Sequence, residues 1–299
     1  MNVLITGCLG LLGQRLVELA PPNAKVAATD LEPDPQFMPA SLYHPCDLTR
    51  FDQVRALFDR LRPDCVINAA AYTNVDRAED EPDRCRTVNV TAVEHLARLC
   101  GSSALLIQVS TDYVFDGAAG PYAEDAPTNP LGVYAKSKWE AEQAVRAAGV
   151  DHVIARTMVL YGHTRNCRPE FVGWLIDKLA AAEPVRIVTD QFGNATLNDE
   201  LAQALWRLAF GSFRGVVHVA GTDVLSRYDF SLRIAELFGL DAGLITPITT
   251  AELKQKAPRP LRSGLIVDKA VRELGLELSD TVGGLRKYQK MRPRRLSPI

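Results

Sequence analysis

Tyr134 and Lys138 lie four residues apart in Tyr134-Ala135-Lys136-Ser137-Lys138. On a helix that spacing puts a phenol and an ammonium on one face. Upstream, the apolar run Leu105-Leu106-Ile107-Gln108-Val109 ends at the hydroxyl pair Ser110-Thr111. A phenol, a cation on its face and a hydroxyl at a strand end are the parts of a proton-transfer site. The lysine can lower the phenol pKa by placing positive charge near the phenolate. Tyr-x-x-x-Lys also arises by chance in amphipathic helices, so its weight rests on the elements that would carry it.

Those elements begin at residue 2. Val3-Leu4-Ile5-Thr6 is an apolar strand that turns into Gly7-Cys8-Leu9-Gly10-Leu11-Leu12-Gly13, and a helix is expected to about Ala20, closed by Pro21-Pro22. Lys25–Thr29 reads as a second strand ending in Asp30. Strand, glycine-rich turn, helix, strand and acid make a dinucleotide-binding unit. Gly7 lets the chain turn sharply, Gly10 lets backbone N–H groups approach a pyrophosphate, and Gly13 lets the helix pack on the sheet. The helix N-terminus adds partial positive charge. Leu9, Leu11 and Leu12 belong with the glycines as cofactor-binding positions. The spacing is Gly-x-x-Gly-x-x-Gly. Asp30 is placed to accept the adenosine ribose hydroxyls, which favours NAD(H), because a 2′-phosphate would meet a like charge. Arg15 is either a helix-surface charge or a phosphate contact that would admit NADP(H).

The chain has 299 residues, 47% of them hydrophobic, and a formal net charge of −2. That length suits one large domain or a domain with a smaller lobe. The charge gives no general pull toward nucleic acid or an anionic membrane. A basic cluster from Arg286 to Arg295 reads as a solvated terminus. No apolar run approaches the roughly 20 residues of a membrane helix, and no signal peptide precedes the first strand. Six cysteines without a Cys-x-x-Cys pair read as free thiols in a reducing cytoplasm. The five histidines have no ligand spacing, so no metal is expected.

Further along, Asp47 and Leu48 fall in a loop that would face the adenine, and Thr49 or Asp52 is expected to cap the helix that follows. Cys65–Asn68 is a buried strand running into Ala69-Ala70-Ala71, whose small side chains let a cofactor lie close. The acidic stretch Asp76–Glu81 precedes a long helix to Cys100, which carries Asn89, a residue that either faces the cofactor or packs at the surface or between helices. A further strand covers 151–155. Roughly six alternating units in about 160 residues predict an α/β fold, a Rossmann-type doubly wound parallel sheet whose ligands bind at the C-terminal strand ends. Thr6/Gly7, Asp30, Ala69, Ser110/Thr111 and Thr157 all fall on that edge. Residues 1–162 form the expected nucleotide-binding domain, with strand 215–220 returning to the sheet. Residues 163–214 and 221–299 form a smaller interwoven C-terminal substrate lobe.

The glycine triplet, Asn68-Ala69-Ala70-Ala71-Tyr72-Thr73, Ser110-Thr111-Asp112-Tyr113-Val114-Phe115, Tyr134-x-x-x-Lys138, Asp190-Gln191-Phe192-Gly193 and Arg259-Pro260-x-x-Ser263 occur in that order. Together they resemble the extended short-chain dehydrogenase/reductases, and among them the dTDP-4-dehydrorhamnose reductase group. The resemblance spans about residues 1–270. It implies reduction of a 4-keto sugar on a nucleotide carrier with NAD(H) or NADP(H). Tyr134 would then be the proton donor, Lys138 would hold the nicotinamide ribose, and Thr111 would bond the substrate carbonyl, with Ser110 as the alternative hydroxyl. By the same match Ser110, Asp112, Asp190, Gln191, Arg259 and Arg262 border the sugar nucleotide, the two arginines reading either as diphosphate contacts or as surface ion pairs. A nucleotide sugar is the expected partner, and a homodimer the expected assembly. The chain departs from the family at Arg156–Tyr161, where a tryptophan is common, at Ala195, and across 163–170. All are substrate-side positions. Two alternatives stand beside the reductase. One is another nucleotide-sugar reductase or epimerase, with His163 and Cys167 as an acid/base pair. The other is a regulatory cofactor-binding subunit like the methionine adenosyltransferase beta subunit.

Overall fold

The computed structural model describes residues 1–33, 35, 38–165 and 169–291. Six parallel strands form the central sheet: β1 (Asn2–Thr6), β2 (Lys25–Thr29), β3 (Cys65–Asn68), β4 (Leu105–Thr111), β5 (His152–Thr157) and β6 (Gly215–His218), in the order β6-β5-β4-β3-β1-β2. All four residues of β3 are buried, as are six of seven in β4. Strands covered by helices on both faces read as continuous apolar runs, which is why these were legible as runs and not as alternation. The main helices are α1 (Leu11–Glu18), α2 (Phe51–Leu61), α3 (Ala92–Cys100), α4 (Val133–Ala147), α5 (Phe171–Ala180), α6 (Asn198–Phe210) and α7 (Arg227–Phe238).

Strand β1 pairs with β2 on one side and with β3 on the other. The chain order reverses there, so a crevice opens at the strand ends Thr6, Asn68 and Thr111. The return of residues 215–218 to the sheet is direct: Gly215–His218 pair in register with Val153–Arg156. The smaller lobe has its own core, in which Tyr161, Leu175, Ile187, Phe230 and Leu285 are buried together. Its strand Val185–Val188 pairs in parallel with Ile245–Ile248. Among the described residues no helix is long and apolar enough to cross a membrane.

Three local expectations change. Five sheet strands, not six, precede residue 162, because the unit after β2 is reduced to an isolated bridge between Ala28 and Tyr43. Pro33, Pro35, Pro39 and Pro45 crowd that segment and cannot donate to a ladder. The helix expected between Glu81 and Cys100 is divided into Pro82–Arg86 and a π-helical turn Thr87–Thr91 ahead of α3, and the acidic stretch before it contains a short helix, Val75–Ala78. Thr49 and Asp52 do not cap α2: its N-cap is Arg50, without a side-chain bond, and Thr49 donates to Asp47 at 2.7 Å.

Candidate active site

At the crevice a cavity of about 590 Å³ is lined by Gly7, Gly10–Gly13, Asp30, Asp47, Leu48, Ala69–Ala71, Ser110–Tyr113, Tyr134 and Lys138, among others. The fold therefore gathers the expected cofactor-binding and catalytic positions around one space. Leu9 is the exception, since its N–H donates to the Asp30 carboxylate at 3.0 Å.

The glycine turn fits a nucleotide. Gly7 has φ +66°, and a Cβ there would lie 2.6 Å from Ala70 N, so β1 and β3 approach too closely for any side chain. A Cβ on Gly10 would meet only Gly7 O, at 3.3 Å. Its bareness leaves room on the cavity side, at the N-cap of α1, for a pyrophosphate. Asp30 also accepts Leu31 N–H at 2.8 Å, which holds its carboxylate at the end of β2. Arg15 is committed elsewhere, to Asp199 on α6 at 2.6 Å and to Glu18.

Helix α4 delivers Tyr134 and Lys138. Its first N–H, on Val133, is capped from outside by Glu79 at 2.8 Å. Lys138 is buried and Tyr134 half-buried. Lys138 Nζ donates to the Val109 carbonyl at 2.7 Å, tying the helix to β4, and burial pulls its pKa down to about 8. The Tyr134 phenol is held above its ordinary pKa by burial first, then by Asp112 and Tyr113, while a hydrogen bond with Thr111 works the other way. In this structure those influences outweigh the lowering of the phenol pKa expected of the lysine. Desolvation and a neighbouring carboxylate decide its titration, and Tyr134 stays protonated at neutral pH.

Thr111 Oγ1 donates to Asp112 Oδ1 at 2.9 Å and accepts the Tyr113 N–H at 3.2 Å. Ser263 donates to the other Asp112 oxygen at 2.5 Å. Burial pushes the Asp112 carboxyl up to about 6 against those two bonds. Ser110 points the other way, donating to Glu142 at 2.6 Å. Glu142 is also held by Arg156 through bonds of 2.9 and 2.7 Å, and both side chains are buried. That pair locks the middle of α4 to β5. A buried charge must be matched in this way, or its desolvation is uncompensated.

Several candidate residues are held away from the cavity, and for Asn89 the packing alternative is the one observed. Asn89 does not line the cavity. It accepts Tyr72 N–H at 2.7 Å and donates to Ser137 Oγ at 2.9 Å, so it joins the loop after β3 to α4. The Arg259 guanidinium lines neither this cavity nor its neighbour and is paired with Asp76 at 2.8 Å. Asp190 accepts Thr250 N–H and Oγ1, so it holds the start of a short helix. Gln191 does border a second, smaller cavity, but its amide is bonded to Thr250 and Gln255. Arg262 is exposed and lies over the Phe192 ring. His163 lines neither cavity, and Cys167 lies outside the described residues. Glu79 and Glu142 escaped the sequence reading, and Arg156, read there as a substrate-side departure from the family, is instead buried against Glu142. The signal for Glu142 was present: it lies one turn past Lys138 on the same face.

Residues 1–291 match the family model described as the RmlD substrate binding domain. The dTDP-4-dehydrorhamnose reductase of Aggregatibacter actinomycetemcomitans is 32% identical over 96% of this chain and 98% of that protein. The dTDP-4-keto-6-deoxy-D-glucose reductase of Streptomyces niveus is 34% identical over 91% of each chain. A crystal structure of the dTDP-4-dehydrorhamnose reductase of Bacillus anthracis, in complex with NADP, superposes with a TM-score of 0.85. It is 28% identical and covers 97% of this chain and 99% of its own.

Proposed function

The chain belongs to the RmlD substrate-binding-domain family, and from that premise we propose that its cavity is the site where the 4-keto group of a nucleotide-linked sugar is reduced. It is an NAD(P)-dependent oxidoreductase of the extended short-chain dehydrogenase/reductase type. The observation that supports the chemistry is that Thr111, Tyr134 and Lys138 share one cavity with the glycine turn and Asp30.

The dinucleotide would lie across the strand ends, its pyrophosphate at Gly10–Gly13, its adenosine ribose at Asp30 and its adenine toward Asp47 and Leu48. When bound, it supplies hydride from the nicotinamide. Tyr134, protonated at neutral pH, donates its proton to the ketone oxygen as negative charge develops there. Lys138 is placed one turn along to hold the nicotinamide ribose and to stabilise the phenolate left behind. Thr111 lies beside Tyr134 to orient the same oxygen. Its exchange partner Asp112 must release the hydroxyl for it to serve as donor. The small residues Ala69–Ala71 floor the cavity and let the ring lie flat. Within this reading Asp30 and the committed Arg15 favour NAD(H) over NADP(H).

Cofactor oxidation followed at 340 nm with dTDP-4-keto-6-deoxyhexoses tests the proposal. Tyr134→Phe should lower kcat by roughly 10²–10⁴-fold while leaving cofactor affinity intact. Cofactor binding with no turnover of any 4-keto nucleotide sugar would overturn it in favour of a regulatory subunit.

A further inference from the structure

A second cavity continues the first into the lobe. Asp112, Tyr113, Met158 and Val159 line both. Among the described residues, Arg227 is the only lysine or arginine lining the smaller cavity, as Lys138 is for the larger. The first residue of α7, it is held through its main chain: its N–H donates to the Gln191 carbonyl at 2.8 Å and its carbonyl accepts Ser231 Oγ at 2.8 Å. Its guanidinium lies over the Phe171 ring, 4.6 Å from the centroid. Stacking engages the face of the guanidinium and leaves its in-plane N–H donors to find acceptors. No carboxylate or carbonyl among the described residues accepts from them. Burial works against its charge, and the carboxylate of Asp112 acts on it only through space.

Arg227 is half-buried, and donors that its surroundings leave unfilled favour an acceptor brought into the cavity. Its planar fork matches two oxygens of a phosphate. The other arginines of the region are already used, Arg259 by Asp76 and Arg262 on Phe192 at the surface.

We propose that Arg227 anchors the diphosphate of the nucleotide-linked substrate. This rests on the nucleotide-sugar reading above and assigns its anionic subsite. The geometry of a pyranose supports it, because C1, which carries the diphosphate, lies across the ring from C4, which carries the ketone. A ketone at Tyr134 and Thr111 in the larger cavity puts the sugar at the junction lined by Asp112 and Tyr113. The diphosphate then extends into the smaller cavity, where Arg227 is the cation.

Calorimetry with dTDP, which has the diphosphate but no sugar, tests this on the full chain with wild type, Arg227→Gln and Arg227→Lys. Losing a charge-assisted bidentate contact should weaken dTDP binding roughly ten- to a hundredfold in Arg227→Gln. Arg227→Lys keeps charge without the fork and should fall between. NADH and NADPH affinities should not move in either variant, which also shows that both are folded. With a 4-keto sugar nucleotide, KM should rise more than kcat falls. If wild type binds dTDP and Arg227→Gln binds it equally well, Arg227 is not the anchor, though the nucleotide-sugar reading stands. If wild type binds dinucleotide but neither dTDP nor any sugar nucleotide, both fall together.

Discussion

The Thr111 hydroxyl donates to the Asp112 carboxylate at 2.9 Å, so the side chain expected to meet the substrate carbonyl has its proton on its own neighbour. That carboxylate is buried, and burial raises its pKa to about 6 from an ordinary 3.8. A carboxyl whose folded pKa exceeds its unfolded value contributes stability that is complete below about 3.8 and is lost as pH rises through about 6. Asp112→Asn removes that loss and keeps an acceptor for Thr111. It should therefore leave stability nearly unchanged at pH 4 and raise it at pH 7.5 by on the order of 2–3 kcal/mol. Urea unfolding of both proteins across that range checks the prediction. Curves that stay parallel from pH 4 to 7.5 would contradict it.

Lys138 titrates in the opposite sense. Burial disfavours its ammonium and brings its pKa to about 8, with Glu142 the largest influence holding it up. The charge that would sit against the ribose and the phenolate is thus lost as pH rises through about 8. We expect kcat/KM, which reports free-enzyme groups, to decline above that pH. Arginine keeps its charge throughout this range, so Lys138→Arg should be slower yet flat on the alkaline side. A wild-type profile that rises steadily to pH 10 would mean that the ammonium is not required.

The sheet was largely legible because parallel strands are buried on both faces: Val3–Ile5, Val66–Ile67 and Leu105–Ile107 read directly as apolar runs. The glycine turn was legible because tight approach demands a missing side chain. What the sequence hid were pairings across distance. Glu142 and Arg156 look like ordinary helix and strand charges until the fold buries both against Ser110. Arg227, at the start of α7, belongs to no motif singled out in the sequence, and only the lobe packing places it in a cavity. The Arg-Pro-x-x-Ser block shows both outcomes. Ser263 reaches Asp112, whereas Arg259 turns away to Asp76, because local spacing does not say which of two nearby acids a long side chain will meet.

The glycines separate folding from binding. A Cβ on Gly13 would lie 2.1 Å from Gly7 O and 2.5 Å from Cys8 Cα, both backbone atoms that cannot step aside. Gly13→Ala should cost on the order of 1–3 kcal/mol through overpacking and lower Tm. Gly10→Ala meets only the mild 3.3 Å approach to Gly7 O, so its Tm should stay near wild type. Its methyl would occupy the pyrophosphate approach, and NADH and NADPH should both bind at least roughly tenfold more weakly, equivalent to about 1.4 kcal/mol. Thermal melts with dinucleotide titrations distinguish the two, and equal Tm losses would refute the distinction.

Asp30 is the residue we expect to set the preference between dinucleotides. Its two oxygens accept Leu9 N–H and Leu31 N–H, which fixes the carboxylate at the end of β2, where the adenosine ribose would lie. There it can accept ribose hydroxyls, whereas a 2′-phosphate would face like charge. Arg15, the cation nearest in sequence to the turn, is neutralised by Asp199 and Glu18. Asp30→Asn keeps the size and one acceptor but removes the repulsion, and its amide can donate to a phosphate. We expect the ratio of kcat/KM for NADH to that for NADPH to fall by roughly tenfold, mostly through better use of NADPH, since each 1.4 kcal/mol is a factor of ten. The carboxylate also braces Leu9 in the glycine turn, so a purely structural effect would weaken both dinucleotides alike. A ratio that stays constant while both affinities drop would show that Asp30 serves the turn and does not read the ribose.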